Sequence, residues 1–189
     1  SFDLIVLGAG SGGLAAAKRA ALHGARVAIV EGDLVGGTCV VRGCIPKKML
    51  VYASMYGEYI KTAPSYGIEI ESAKIESGVL LANIQKEVIR LSKLHTNFLA
   101  KSGVELIYGW GEFSGQNSVL VRDRRSNNIL REIKAQNILI SVGGRAIRPN
   151  IDGSSLGWLS DDMFLLKDFP KKIVIVGGGF IACEFAGIL

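Results

Sequence analysis

Apolar and polar residues alternate in blocks at the start of the chain, and these blocks predict a strand, a helix and a strand. Short apolar runs at residues 2–7 and 26–31 are typical of buried parallel strands. The Ala-rich stretch between them, residues 12–23, predicts a helix that ends at Gly24. Together the three segments predict one unit of a parallel sheet.

Two longer helices are predicted next. The first covers about residues 38–61, and we expect Pro46 to disturb it, because proline has no N–H to donate within a helix. The second covers residues 77–101, where apolar residues recur at helical spacing along one stripe. We interpret that stripe as core packing.

Strands dominate the rest of the pattern. They are predicted at residues 103–108, 117–122, 129–134, 137–142 and 171–176, with a hairpin closed by residues 124–128. Residues 145–168 are interpreted as a connector. The strand at 171–176 leads into a Gly-rich turn and a small-residue helix, which repeats the opening pattern.

This order predicts an α/β fold with two parts. Residues 1–168 form a Rossmann-like domain, a parallel sheet with an antiparallel insertion. Residues 169–189 form the first strand and helix of a second Rossmann-like domain.

Composition narrows the classes of partner. The net charge of +5 weakly favours anionic ligands. With no basic helix and no apolar run of membrane-spanning length, we expect neither nucleic acid nor a membrane as partner. The odd count of 3 cysteines favours a reducing compartment. The chain begins directly in a strand, so we expect no targeting peptide.

A glycine motif follows the first strand. Gly8, Gly10 and Gly13 fit G-x-G-x-x-G, in which the helix start binds a pyrophosphate. Glu31 ends the second strand, where a carboxylate can accept hydrogen bonds from ribose hydroxyls. The motif therefore predicts a dinucleotide site, and the alternative is a small-residue turn without a ligand.

Cys39 and Cys44 form the second candidate site. In an ideal helix their Cα atoms would stand roughly 8.6 Å apart, whereas a disulfide needs at most about 7 Å. Gly43 and Pro46 can deform the helix, so a redox-active bridge is feasible, and we expect it to be closed. Lys47 and Lys48 stand on the face of Cys44 and favour a thiolate. Inert buried thiols remain an alternative.

Zinc is the other alternative for the two cysteines. A structural zinc site needs four ligands, and the remaining candidates, Cys183, His23 and His95, fit no zinc spacing. We therefore expect no metal.

A second glycine motif lies near the end of the chain. Gly177, Gly179 and Ala182 have G-x-G-x-x-A form, which predicts a second dinucleotide site. The alternative is a helix start whose small residues serve packing.

The run from Gly37 to Lys48, with its two cysteines and Pro46, resembles the flavin-dependent pyridine nucleotide–disulfide oxidoreductases. The likeness covers essentially all 189 residues and the N-terminal part of that family. Lys47-Lys48 after the proline, and Val41-Arg42 before Gly43, resemble the glutathione reductase branch of cyanobacteria and plants.

The resemblance implies FAD and NADPH as cofactors and Cys39, Cys44, Lys47 and Glu184 as catalytic residues. Cys44 would face the flavin, Cys39 would attack the substrate disulfide, and Lys47 would pair with Glu184 beside the flavin. Phe180 would gate the nicotinamide pocket. The cofactor-binding residues implied are Gly8, Gly10, Ser11, Gly12, Gly13, Glu31, Gly32, Gly37, Thr38, Cys39, Lys47, Gly111, Ser141, Val142, Gly143, Gly177, Gly179, Phe180, Ile181 and Glu184.

The resemblance also implies a substrate, glutathione disulfide, contacted by Ser11 and Lys18, and a homodimeric whole protein. The family's remaining nicotinamide domain and its interface domain are not in this chain, so we expect the chain alone to be inactive. We expect it in the cytoplasm, or in the plastid stroma of a photosynthetic eukaryote. The alternatives are a reductase of another disulfide (trypanothione, thioredoxin or lipoamide) and a non-catalytic FAD-binding fragment.

Overall fold

The computed structural model describes residues 1–189 and has an α/β architecture. Two 3₁₀ turns, Ala63–Tyr66 and Ser154–Leu156, accompany six strands and six α-helices. The strands are β1 (Phe2–Leu7), β2 (Val27–Glu31), β3 (Glu105–Tyr108), β4 (Trp110–Gly115), β5 (Ser118–Arg122) and β6 (Ile129–Ile140). The helices are α1 (Ser11–Leu22), α2 (Gly37–Arg42), α3 (Cys44–Thr62), α4 (Ser77–Lys101), α5 (Ser160–Met163) and α6 (Phe180–Ile188).

The six strands form one sheet in the order β3-β2-β1-β6-β5-β4. The first four pair in parallel, and the last three pair antiparallel through β6. This arrangement confirms the predicted parallel sheet with an antiparallel insertion. The carboxyl ends of β1 and β2 therefore lie side by side, which is where open α/β sheets bind ligands.

Strand β6 differs from the prediction. The two strands predicted at 129–134 and 137–142 are one 12-residue strand. Its first half pairs with β5, and from Ala135 onward it pairs with β1. Strand β4 is absent from the prediction, because its sequence WGEFSG holds two glycines and no β-branched residue.

The helix predicted across residues 38–61 is broken at Gly43, which has φ −148° and ψ −118° and begins α3 as its N-cap. Pro46 was expected to be the disturbance, but it lies in the first turn of α3. An N–H at that position has no helical acceptor, so proline costs nothing there. The proline side chain is fully buried.

The core lies on both faces of the sheet. Val6 and Ile29 pack on one face against Leu14 of α1 and Leu99 of α4. Ile5 and Leu7 point to the other face and pack against residues of β5 and β6. The alternation along β1 follows from the two-residue period of a strand.

The chain divides into two compact units, residues 1–41 with 89–145, and residues 42–88 with 146–189. The first unit holds the whole sheet. In the second unit α3 packs against α6, and Phe164 contacts Phe185 at 5.7 Å between ring centroids. The domain boundary between residues 168 and 169 stays a prediction.

The second Rossmann-like start is only partly formed. Helix α6 follows Gly179 as expected, but residues 171–176 form no strand. Val174 and Val176 are 89% and 82% exposed. A strand exists only when a neighbouring strand takes its hydrogen bonds, and the chain places none beside these residues. None of the helices combines the length and the apolar character that a membrane span requires.

Candidate functional site

The turn between β1 and α1 requires glycine at two positions. Gly8 has φ +99°, and a Cβ there would lie 2.4 Å from the carbonyl oxygen of Ser141. A Cβ on Gly13 would lie 1.9 Å from the carbonyl oxygen of Gly8. Both contacts are with backbone, which cannot move aside as a side chain can. The motif therefore packs strand and helix at a distance that a side chain forbids.

A third close approach joins this turn to the loop after β2. Gly37 has φ +61°, and a Cβ there would lie 2.5 Å from the Cα of Gly10. Gly10 is the N-cap of α1 and makes no side-chain cap bond. The N–H groups of the first turn of α1, from Ser11 to Gly13, have no helical acceptor and can donate to an anion. Gly12 faces open space.

Glu31 lies at the end of β2, and each of its carboxylate oxygens accepts one backbone hydrogen bond. Oε2 accepts from the N–H of Ala9 at 2.6 Å, and Oε1 accepts from that of Asp33 at 2.8 Å. A carboxylate offers about four acceptor positions. Glu31 is therefore fixed in place and still able to accept from a diol.

Ser141 closes the cradle from the end of β6. Its Oγ donates to the carbonyl oxygens of Leu7 at 3.0 Å or Gly8 at 3.2 Å. Gly111 packs tightly too, because a Cβ there would lie 2.8 Å from Cδ2 of Leu7. Val142, Gly143 and Thr38, which were also predicted to bind cofactor, are exposed. We call one set of residues the glycine cradle: Gly8, Gly10, Gly13, Glu31, Gly37, Gly111 and Ser141.

The two cysteines lie on either side of the helix break. Cys39 lies within α2 and is half-buried, and Cys44 is the exposed first residue of α3. Both are thiols, so the bridge that was expected to be closed is not formed in this structure. Gly43, which lies between them, does not have helical dihedral angles. The two cysteines are therefore not part of one continuous helix.

The two lysines near Cys44 have partners of their own. Lys47 donates from Nζ to Oε1 of Glu184 at 2.8 Å, which confirms the predicted ion pair. Lys48 lies over the ring of Tyr52, at 5.5 Å from its centroid. The Lys47–Glu184 pair ties the first turn of α3 to α6.

The residues predicted to contact substrate lie on α1, and His95 on α4 is electrostatically coupled to one of them. Ser11 is exposed and Lys18 is half-buried. His95 stacks edge-on against Phe98, and its buried Nδ1 has no hydrogen-bond partner. Burial lowers the pKa of His95, and the positive charge of Lys18 lowers it further. Both effects favour the neutral form of His95 over the charged form.

The residues predicted to bind nicotinamide surround the start of α6. Gly177 has φ +115°, and Gly179 is the N-cap of α6. Phe180 and Ile181 are 77% and 44% exposed. A Cβ on either glycine would meet no atom within 4 Å, unlike the packed glycines of the cradle. This turn therefore has the expected shape without tight packing around it.

Sequence reasoning missed Trp110, which lies against Gly32. A Cβ on Gly32 would come within 2.7 Å of Cε3 of the indole. Arg124 reaches the same loop from the β5–β6 hairpin and lies 3.4 Å from Oδ1 of Asp33. The only sequence signal for Trp110 was its position next to Gly111, a residue that the family resemblance had assigned to cofactor binding.

Comparisons with known proteins match nearly the whole chain to one family. A family model described as pyridine nucleotide-disulphide oxidoreductase matches residues 2–189. The chain is 49% identical over 188 residues to a glutathione reductase of Nostoc sp. (strain PCC 7120 / SAG 25.82 / UTEX 2576), covering 100% of the chain and 39% of that relative. It is 43% identical over 187 residues to a glutathione reductase of Burkholderia cepacia, covering 99% of the chain and 40% of that relative. The chain thus spans about two fifths of the length of these curated relatives.

Proposed function

Because the chain belongs to the pyridine nucleotide-disulphide oxidoreductase family, we propose that it carries the FAD site and the redox thiols of an NADPH-dependent glutathione disulfide reductase. Proteins of this family use FAD and NADPH. The substrate is proposed from the two relatives, which are both glutathione reductases. The observation that carries the proposal is the pair Cys39 and Cys44 flanking a helix break directly after the glycine cradle.

The glycine cradle fits FAD. A Cβ on Gly8, Gly13 or Gly37 would clash with backbone, so these glycines keep the turn tightly packed. Gly10, the N-cap of α1, has no side chain to keep a pyrophosphate away from the backbone. The first turn of α1 supplies the N–H donors for that group. Glu31 would hold the adjoining ribose through its remaining acceptor positions.

FAD, when bound, supplies the two-electron transfer from NADPH that returns a protein disulfide to two thiols. In the proposed reaction the Cys39 thiolate attacks one sulfur of glutathione disulfide. The S–S bond breaks, a mixed disulfide forms, and one glutathione leaves as a thiolate that takes up a proton. The Cys44 thiolate then attacks the Cys39 sulfur, which releases the second glutathione and leaves a Cys39–Cys44 disulfide.

The remaining residues position these groups. Lys47, held by Glu184 at 2.8 Å, keeps a positive charge at the start of α3, on the element that begins with Cys44. Lys18 and Ser11 on α1 would bind the glutathione carboxylate and a polar group of its backbone. Gly177, Gly179, Phe180, Ile181 and Glu184 are proposed for the nicotinamide side.

The test is a thiol count on the whole protein after anaerobic reduction by NADPH. We expect two more titratable thiols in the reduced than in the oxidised protein. Cys39→Ser and Cys44→Ser should each abolish this difference and the reduction of glutathione disulfide. Cys183→Ser is the matched control and should keep the difference of two, because Cys183 is exposed and bonded only weakly to the Gly178 carbonyl.

Equal thiol counts in the oxidised and reduced wild-type protein would refute the proposal. Rates with trypanothione, thioredoxin and lipoamide disulfides, measured beside glutathione disulfide, test the choice of substrate. A higher kcat/KM for one of these would reassign the enzyme. We also propose a homodimeric whole protein, to be checked by sedimentation equilibrium. Its compartment stays a prediction.

A further inference from the structure

We propose that Trp110 is a binding residue for the adenine of the dinucleotide, as the flat surface on which the base stacks. The inference rests on the proposed FAD site and extends it to a residue outside the glycine motif. The geometry points to this role because Trp110, the first residue of β4, lies just past Glu31, where the base should follow the ribose.

The path of the ligand is set by the cradle. The pyrophosphate belongs at the start of α1, and the ribose belongs at Glu31, where β2 ends. A base attached to that ribose extends beyond Glu31, over the next residue in the chain. That residue is Gly32, which presents no side chain in the way.

Trp110 is placed at Gly32 by the pairing of β2 and β3. Tyr108 is in register with Glu31, and the N–H of Gly109 donates to the Glu31 carbonyl at 2.9 Å. Gly109 has φ +151°, and a Cβ there would lie 2.5 Å from Cγ1 of Val121. This sharp turn at glycine brings the next residue, Trp110, over Gly32.

The indole is only partly used by the protein. Its Cε3 and Cζ3 edge lies against Gly32, and the residue as a whole is 52% exposed. A large aromatic ring that is about half open to solvent beside a ligand path leaves ring surface on which a planar base can stack. Base–aromatic stacking is typically worth enough that removing the ring weakens binding by about 5- to 150-fold.

The loop under the ring, Gly32 and Asp33, is held by the side chains of Glu31 and Arg124. The Glu31 carboxylate accepts from the N–H of Asp33, and Arg124 donates to the Gly32 carbonyl at 3.3 Å. Arg124 also lies 3.4 Å from the Asp33 carboxylate. A preorganised loop loses little freedom when a base stacks on it, which favours binding.

The experiment uses the whole protein stripped of its flavin, with ADP as the probe. ADP carries the adenine, ribose and pyrophosphate without the isoalloxazine ring, so any quenching of tryptophan comes from the adenosine end. We expect ADP to quench the wild-type fluorescence and Trp110→Phe to remove most of that quenching. Trp158→Phe is the matched control and should leave the quenching unchanged.

Affinity gives the second readout. Trp110→Ala should raise the Kd of ADP by about tenfold, a value within the usual range for a stacked base. Trp110→Phe should raise it by less than about threefold, because a smaller ring still stacks. If Trp110→Ala does not fold, the fluorescence of the Trp110→Phe variant decides alone.

Two outcomes overturn the inference, and they are distinguishable from failure of the proposed function. If ADP binds the wild type, yet Trp110→Phe keeps the full quenching or Trp110→Ala keeps the wild-type Kd, adenine does not stack on Trp110 and the FAD proposal stands. If the stripped wild type binds neither ADP nor FAD, the proposed function fails and the inference fails with it.

Discussion

The substitution Gly13→Ala adds a single methyl group, and this group should be enough to disrupt the glycine cradle. The new Cβ would lie 1.9 Å from the Gly8 carbonyl oxygen and 2.8 Å from the Ser141 Oγ. A carbon and an oxygen need roughly 3.0 Å or more, so α1 must retreat from β1 by about 1 Å. Such overpacking costs about 1–3 kcal/mol of stability, and occasionally more. For a domain of the predicted extent, residues 1–168, this lowers the melting temperature by about 2–12 °C.

The neighbouring substitution Gly12→Ala is the matched control. It adds the same methyl group to the same helical turn, where a Cβ would meet no atom within 4 Å. Alanine is favoured over glycine within a helix by about 0.5–1 kcal/mol, so this variant should melt at or above the wild-type temperature. The assay is differential scanning fluorimetry of the flavin-free whole protein. Equal melting temperatures for the two variants would show that the 1.9 Å contact does not constrain the fold, and the reasoning would be wrong.

Three further substitutions test the packing and the charges. Leu50→Ala, at a side chain 1% exposed, should lower the free energy of unfolding in urea by about 2–5 kcal/mol; a loss below about 1 kcal/mol would contradict the burial. Glu184→Gln should cost at most about 1 kcal/mol, because its ion pair with Lys47 is partly exposed, and a larger loss would mean that the pair is shielded from water. Because the pKa of His95 is lowered in the folded protein, the unfolded chain takes up a proton at this residue at a higher pH than the folded protein does. Stability should therefore be complete above the ordinary pKa of 6.5 and fall as the pH drops below it. His95→Phe should make this loss of stability smaller, as measured by the urea midpoints of unfolding at pH 8, 6.5 and 5. The same pH profile as the wild type would refute the role of His95.

The parts of the fold that depend on local pattern could be predicted from the sequence. Strands β1 and β2 and helices α1 and α4 were predicted within one or two residues, since their apolar residues recur with the right period. The strand at 171–176 has an equally apolar sequence and does not form, because strand pairing depends on residues far away in the chain. Strand β4 is the converse case, where pairing with β5 overrides a glycine-containing sequence of low strand preference.

The site divides in the same way. The spacing of Gly8, Gly10 and Gly13 was enough to predict a tight turn between β1 and α1, since each glycine acts within a short segment. The approach of Gly37 to Gly10 comes from tertiary packing. The contact of Lys47 with Glu184, 137 residues away, was expected only from the family resemblance. Trp110 was missed because nothing in its own segment shows that it lies on Gly32.

The long strand β6 has a consequence for the order in which the cradle can be assembled. Its last residues pair with β1, and the Ser141 Oγ lies 3.2 Å from the carbonyl oxygen of Gly8, which is 133 residues earlier in the chain. Contacts between residues so far apart in the chain form late in folding. Ordering the intervening chain costs conformational entropy before the contact can stabilise the fold. During synthesis the glycine turn emerges from the ribosome before β6 does. The cradle therefore stays incomplete until β6 has emerged and paired with β1. The proposed flavin site would therefore be one of the last features that this unit acquires.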